Sequence, residues 1–77
     1  MDIDDNEYLS RARLSAGMSQ SELAEAAGMS GPSVISLVEN RRRIPKHHSV
    51  KELARVLGLD LGELYTWMTA FVEPPKD

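Results

Sequence analysis

Short blocks of apolar residues at helical spacing recur along the chain, and start and stop signals bracket most of them. A Ser, Thr, Asp or Asn followed three residues later by Glu or Gln makes a capping box, which satisfies two amide donors left open at a helix start. Four such boxes occur, at Asp4–Glu7, Ser19–Glu22, Ser49–Glu52 and Asp60–Glu63. The residues around each cap supply a candidate hydrophobic staple: Ile3–Tyr8, Met18–Leu23, His48–Leu53 and Leu59–Leu64, with a polar member only in the third. Gly17, Gly28 and Gly58 stand where a left-handed residue closes a helix, and Pro74-Pro75 ends the last segment. The pattern predicts helices near 5–16, 20–27, 50–57 and 61–73.

A fifth apolar segment, Val34-Ile35-Ser36-Leu37-Val38, has the β-branched residues of a strand. The sequence offers no second strand to pair with it, and a lone strand leaves its backbone groups unsatisfied. Gly31-Pro32 suits the first turn of a helix, so a helix near 31–39 is predicted. Gly28, Met29 and Ser30 then separate the second and third helices. A short turn containing Gly makes two helices cross steeply, which is the helix-turn-helix arrangement. Ala24 and Ala27 are small on the side where the pair would meet. The second helix of such a pair projects and fits the DNA major groove.

Seventy-seven residues make a single domain, 1–77, with a core over 5–65 and residues 66–73 extending the last helix. A chain of this size buries only about 60% of its unfolded surface. Apolar residues at 42% and charged residues at 27% are an ordinary globular mix. The absence of Cys excludes a disulfide scaffold, a thiolate zinc site and a cysteine nucleophile. No apolar run approaches the ~18 residues of a membrane span, and the acidic start Met1–Asp5 is unlike a secretion signal. A net charge of −3 by itself argues against a nucleic-acid partner. The distribution reverses that. Residues 2–7 carry four acids and no base, whereas residues 41–51 carry five bases and no acid. A basic segment inside an acidic chain has the form of an electrostatic footprint.

At this point the sequence resembles the phage-repressor and Cro-like helix-turn-helix family, of the xenobiotic-response-element type. The residues that carry the resemblance are Arg13, Gly17-Met18-Ser19-Gln20, Leu23-Ala24, Gly28-Met29-Ser30, Ile35-Ser36, Val38-Glu39-Asn40, Pro45 and Leu53 through Asp60, and it spans Leu9 to Tyr65. It implies an all-α, compact five-helix, lambda-repressor-like domain that binds operator DNA as a two-fold dimer. It implies that Ser19 and Gln20, at the start of helix two, meet a DNA phosphate, in keeping with the free amides of a helix N-terminus. Arg13 and Glu39 match a pair that joins helix one to the end of helix three. Asn40, Arg41, Arg42 and Arg43, with Lys46, match the basic segment that lies along the DNA backbone.

The chain departs from the family pattern in two ways. Counted from Gln20, it carries one extra residue before Glu39. One residue is a rotation of about 100° on a helix, so its place decides which side chains face DNA. With the extra residue in the turn, Ile35 and Val38 are core, and Pro32, Ser33, Ser36 and Leu37 face outward. With it near the end of helix three, Val34 and Leu37 are core, and Ser30, Gly31, Ile35 and Ser36 lie nearer the groove. The second departure is chemical. Base edges are best read by Arg, Lys, Asn or Gln, and none of these lies between Ser30 and Glu39. Helix three is therefore expected to read bases weakly, through Ser30, Gly31, Pro32, Ser33, Ser36 and Leu37. Affinity is expected from phosphates. If Arg41, Arg42, Arg43 and Lys46 each met one in both protomers, log affinity would fall against log salt with a slope of about −7.

The last helix is apolar around much of its circumference, which points to burial on more than one side. Leu61, Leu64, Met68 and Phe71 follow one inward stripe. The second surface is expected to be another copy of the chain, with Tyr65, Trp67, Met68, Phe71 and Val72 at the interface. His47 and His48 read as a solvated pair, since no further ligand stands at metal spacing. No cofactor, metal or catalytic set is expected, and the chain is not read as an enzyme. The sequence thus predicts a cytoplasmic, nucleoid-associated prokaryotic regulator, a homodimeric repressor on double-stranded DNA. The rival reading is a protein-interaction or toxin-neutralising module on the same fold.

Overall fold

Capping chemistry sets most helix boundaries in the computed structural model, in which residues 7–70 are described. Helix α1 spans Tyr8–Ser15, α2 Gln20–Ala26, α3 Pro32–Glu39, α4 His47–Leu57 and α5 Leu61–Thr69. These five helices, with no strand among the described residues, make the all-α class expected. The Ser19–Glu22 box is complete. Ser19 Oγ accepts from the Glu22 amide (3.0 Å), and Glu22 Oε1 accepts from the Ser19 amide (2.8 Å). At α5 the Asp60 carboxylate accepts from the Glu63 amide (2.9 Å). Pro32 occupies the first turn of α3.

Two predicted starts need correction. Helix α4 begins at His47, three residues before the expected position, and the Ser49–Glu52 box does not form. The Val50 amide donates to the Lys46 carbonyl (3.0 Å), so His48 and Ser49 already lie inside the first turn. A tertiary contact takes the place of the cap. The His47 ring stacks on Tyr65, with centroids 5.7 Å apart, and its Nδ1 lies 2.6 Å from the Tyr65 hydroxyl. Helix α1 begins at Tyr8 with Glu7 at its N-cap and no side-chain cap. Ile3, Asp4 and Pro74-Pro75 lie outside the described residues, as does the expected stretch of α5 beyond Ala70.

Four helices end in the same way. The amide of a left-handed residue and the amide after it turn back to the last turn of the helix, satisfying two orphan carbonyls. The pairs are Gly17–Met18, Gly28–Met29, Arg41–Arg42 and Gly58–Leu59. Three of the left-handed residues are glycine. The fourth is Arg41, at φ 56°, a conformation that costs a side-chain-bearing residue about 1–2 kcal/mol.

The core collects one stripe from each helix: Leu9, then Leu23, Ala24 and Ala27, then Ile35 and Val38, then Val50, Leu53 and Ala54, then Leu64, Trp67 and Met68. Ala24 and Ala27 are buried where α2 packs closely on α3. Burial of Ile35 and Val38, with Leu37 exposed, settles the register of α3. The extra residue sits in the turn, which runs from Ala27 to Gly31 rather than over three residues. Trp67 also corrects the sequence reading. It is 0% exposed within the single chain, and Met68 is 3% exposed. Leu64, Trp67 and Met68 stand at i, i+3 and i+4, so Trp67 shares the inward face of Leu64. Neither Trp67 nor Met68 has surface left to offer a second copy.

Candidate nucleic-acid interface

Helix α3 is held at its end by one carboxylate. Glu39 is the buried charged residue among the described residues, 7% exposed. Its Oε2 accepts from Arg13 Nε on α1 (2.7 Å), and its Oε1 accepts from Gln20 Nε2 on α2 (3.0 Å). Arg13 also donates from Nη1 to the Met18 carbonyl (2.9 Å). Both charges are thus hydrogen-bonded as well as paired, the condition under which a buried ion pair is tolerated. Three helices meet at this point, and the angle of α3 is fixed there. Gln20 carries the larger surprise. Its amide was expected on a phosphate and is turned inward to Glu39 instead. Ser19 Oγ is likewise occupied by its own cap.

On α3 the side away from the core presents Pro32, Ser33 and Leu37, all exposed, with Gly31 and Ser36 half-buried and Ser30 exposed in the turn. Asn40 follows, its Nδ2 donating to the Ser36 carbonyl (2.8 Å). The chain then folds back, and the Arg42 amide donates to the Leu37 carbonyl (2.9 Å). The basic segment therefore leaves α3 directly beside its exposed last turn. Arg42, Arg43 and Lys46 are exposed, and none has a carboxylate partner among the described residues.

Arg41 behaves differently from its neighbours. Its guanidinium lies over the Trp67 ring, 4.7 Å from the centroid, and Nη1 donates to the Trp67 carbonyl at 3.4 Å. That carbonyl belongs to the last turn of α5, where orphan acceptors attract a cation. Tyr8 packs against the same indole, with centroids 5.3 Å apart. Arg41 is thereby a tie between α3 and α5, half-buried where Arg42 and Arg43 are exposed. One signal in the sequence pointed here. Helix α3 ends at Glu39-Asn40 with no glycine after it, so a side-chain-bearing residue has to take the left-handed position. Nothing in the sequence signalled the Gln20–Glu39 bond or the His47–Tyr65 stack, whose partners lie far apart in the chain.

No group of His, Asp and Glu able to hold a metal ion occurs among the described residues. No described helix is long and apolar enough to cross a membrane. The Tyr8 phenol is pushed above its ordinary value by burial first, and then by the Glu63 and Asp60 carboxylates. Its hydroxyl is buried with no hydrogen-bond partner among the described residues.

A helix-turn-helix family model matches residues 9–64, which runs from the start of α1 through α4 to the first turn of α5. No curated protein and no solved structure gives a match. The family match covers well over half of the chain and coincides with the α2–turn–α3 geometry and the Glu39 tie. On these grounds the chain belongs to the helix-turn-helix family of the Cro and phage-repressor type, whose members are DNA-binding regulators.

Proposed function

We propose that the protein is a transcriptional repressor that binds a two-fold DNA site as a homodimer in the nucleoid of a prokaryotic cell. The observation that carries this reading is the run from α3 into the basic loop. A projecting helix ends beside Arg42, Arg43 and Lys46, three exposed cations without a carboxylate partner among the described residues. Such a surface complements a groove walled by phosphates. In this reading α3 lies in the major groove with Ser30, Gly31, Pro32, Ser33, Ser36 and Leu37 nearest the bases. Arg42, Arg43 and Lys46 hold phosphates, with Ser19 and Asn40 at the margin. Gln20 and Arg41 act by positioning α3, through Glu39 and Trp67.

Two copies are proposed because a helix without Arg, Lys, Asn or Gln on its base-facing side discriminates poorly alone. Repeating its contacts across a two-fold axis doubles the free energy of discrimination. The proposed dimer surface is the end of α5, through half-buried Tyr65 and through Phe71 and Val72, which lie outside the described residues. The rival, a protein-docking module, is favoured by three exposed large apolar residues, Leu14, Leu37 and Ile44.

Selection from a random pool of DNA duplexes at near-physiological salt separates the two readings. The expected product is a two-fold site with half-sites about one helical turn apart. An absence of enrichment, with salt-sensitive background alone, would move the assignment to the rival.

A further inference from the structure

The side of α3 turned away from the core combines two features. It has almost no hydrogen-bonding reach, and it exposes a large apolar residue. Leu37 is 38% exposed, while Ile35 and Val38 on either side of it are fully buried. Pro32 and Ser33 stand exposed on the same helix, and the Asn40 amide is already bound to the Ser36 carbonyl. The Arg42 amide is hydrogen-bonded to the Leu37 carbonyl, so the exposed basic segment begins beside the turn that carries the leucine. A partner for this surface has to be anionic and still offer a small apolar group close to its charges. In the DNA major groove that group is the thymine C5-methyl, the one apolar feature on the base edges.

We infer that α3 reads thymine methyl groups, with Leu37 as the contacting side chain and Pro32 and Ser33 shaping the approach, so that specificity is for T·A pairs at defined positions. This inference rests on the reading of α3 as the groove-entering helix, and adds the chemical feature that it selects. It also accounts for the absence of Arg, Lys, Asn and Gln. A methyl is recognised by apolar contact and needs no donor or acceptor. Charge complementarity from Arg42, Arg43 and Lys46 supplies the affinity without specifying a base.

The test uses the full chain and the site enriched from the random pool. Each thymine in a half-site is replaced in turn by deoxyuridine, which removes the methyl and leaves base pairing and phosphates intact. Loss of one contacted methyl is expected to weaken binding about four-fold, and loss of the equivalent methyl in both half-sites about fifteen-fold. Leu37→Ala is expected to bind thymine and uracil sites alike, with the salt slope unchanged. The inference is overturned if the wild-type protein binds the uracil site as tightly at every position. It is equally overturned if Leu37→Ala keeps the full thymine preference, or if the enriched half-site contains no thymine. An absence of duplex binding at any salt would overturn the groove-binding reading as well, so the two failures are distinct. Because the decisive change is made in the DNA, the result does not depend on how a variant folds.

Discussion

Arg41, Trp67 and Tyr8 show how a few side chains set the limits of a small core. Trp67 is covered by the Tyr8 ring on one side and the Arg41 guanidinium on another. The cation–π contact and the cap on α5 offset the cost of holding Arg41 in a left-handed conformation, since a contact of this kind contributes about 0.5–2 kcal/mol. Tyr8 is the weak member of the cluster. Its hydroxyl is buried without a partner among the described residues, and such an orphan costs about 1–3 kcal/mol. Tyr8→Phe keeps the ring contact and removes the orphan. We expect the variant to be about 1 kcal/mol more stable in urea denaturation at neutral pH. A pH effect follows from the raised phenol. The folded state disfavours the phenolate, so this contribution is fully present below the unfolded pKa of about 10 and is lost as pH rises through the higher folded value. Wild-type stability should therefore fall away from that of Tyr8→Phe in strongly alkaline solution. Parallel alkaline curves for the two proteins would show that the phenol is not the cause.

At the scale of elements, the placing of α3 is the decision on which everything else depends. Its start is loose, with no side-chain cap at Gly31, and its end is tight. Glu39 joins it to α1 through Arg13 and to α2 through Gln20. Removing the carboxylate strands Arg13, whose side chain is 12% exposed. Glu39→Ala should cost about 3–5 kcal/mol, read as a lowered urea midpoint with the slope unchanged. Replacing both charges, Arg13→Met with Glu39→Leu, should recover most of that loss, because no unpaired charge then remains. A double variant as unstable as Glu39→Ala would argue that the pair is needed for shape rather than for charge balance. By contrast, the exposed Glu52–Arg55 pair on α4 is a solvated (i, i+3) contact and little should depend on it.

For the whole molecule, the inward turn of Arg41 changes the expected electrostatics. With Arg42, Arg43 and Lys46 as the phosphate contacts in each protomer, a dimer should show a salt slope of about −5 rather than −7. Arg42→Ala and Arg43→Ala should each reduce the magnitude of that slope by about 2 in the dimer, one phosphate contact being lost in each protomer. Arg41→Gly removes a charge of the same kind, at the position where a left-handed residue is needed, and should leave the slope unchanged. A fall equal to that of Arg42→Ala would place the Arg41 guanidinium on DNA. The measurement is a titration of duplex binding across salt concentrations, and it also tests the dimer, because a monomer would give about half the slope.

Local features were legible in the sequence because their causes lie within a few residues. The Ser19–Glu22 and Asp60–Glu63 starts, the glycine stops at 17, 28 and 58, the five helices and the family motif all follow from neighbours along the chain. The basic run after Asn40 and the lack of base-reading side chains on α3 are also properties of sequence alone. What the sequence left open, or led to the wrong place, depends on partners far along the chain. The register of α3 required knowing whether Ile35 or Val34 meets the core, and a helix rotated by one residue satisfies local propensity equally well. The start of α4 was drawn forward by Tyr65, 18 positions away. Trp67 looked like surface because helical spacing alone cannot tell one apolar face from another. Only packing against Tyr8 and Arg41 decided that the indole closes this chain's own core.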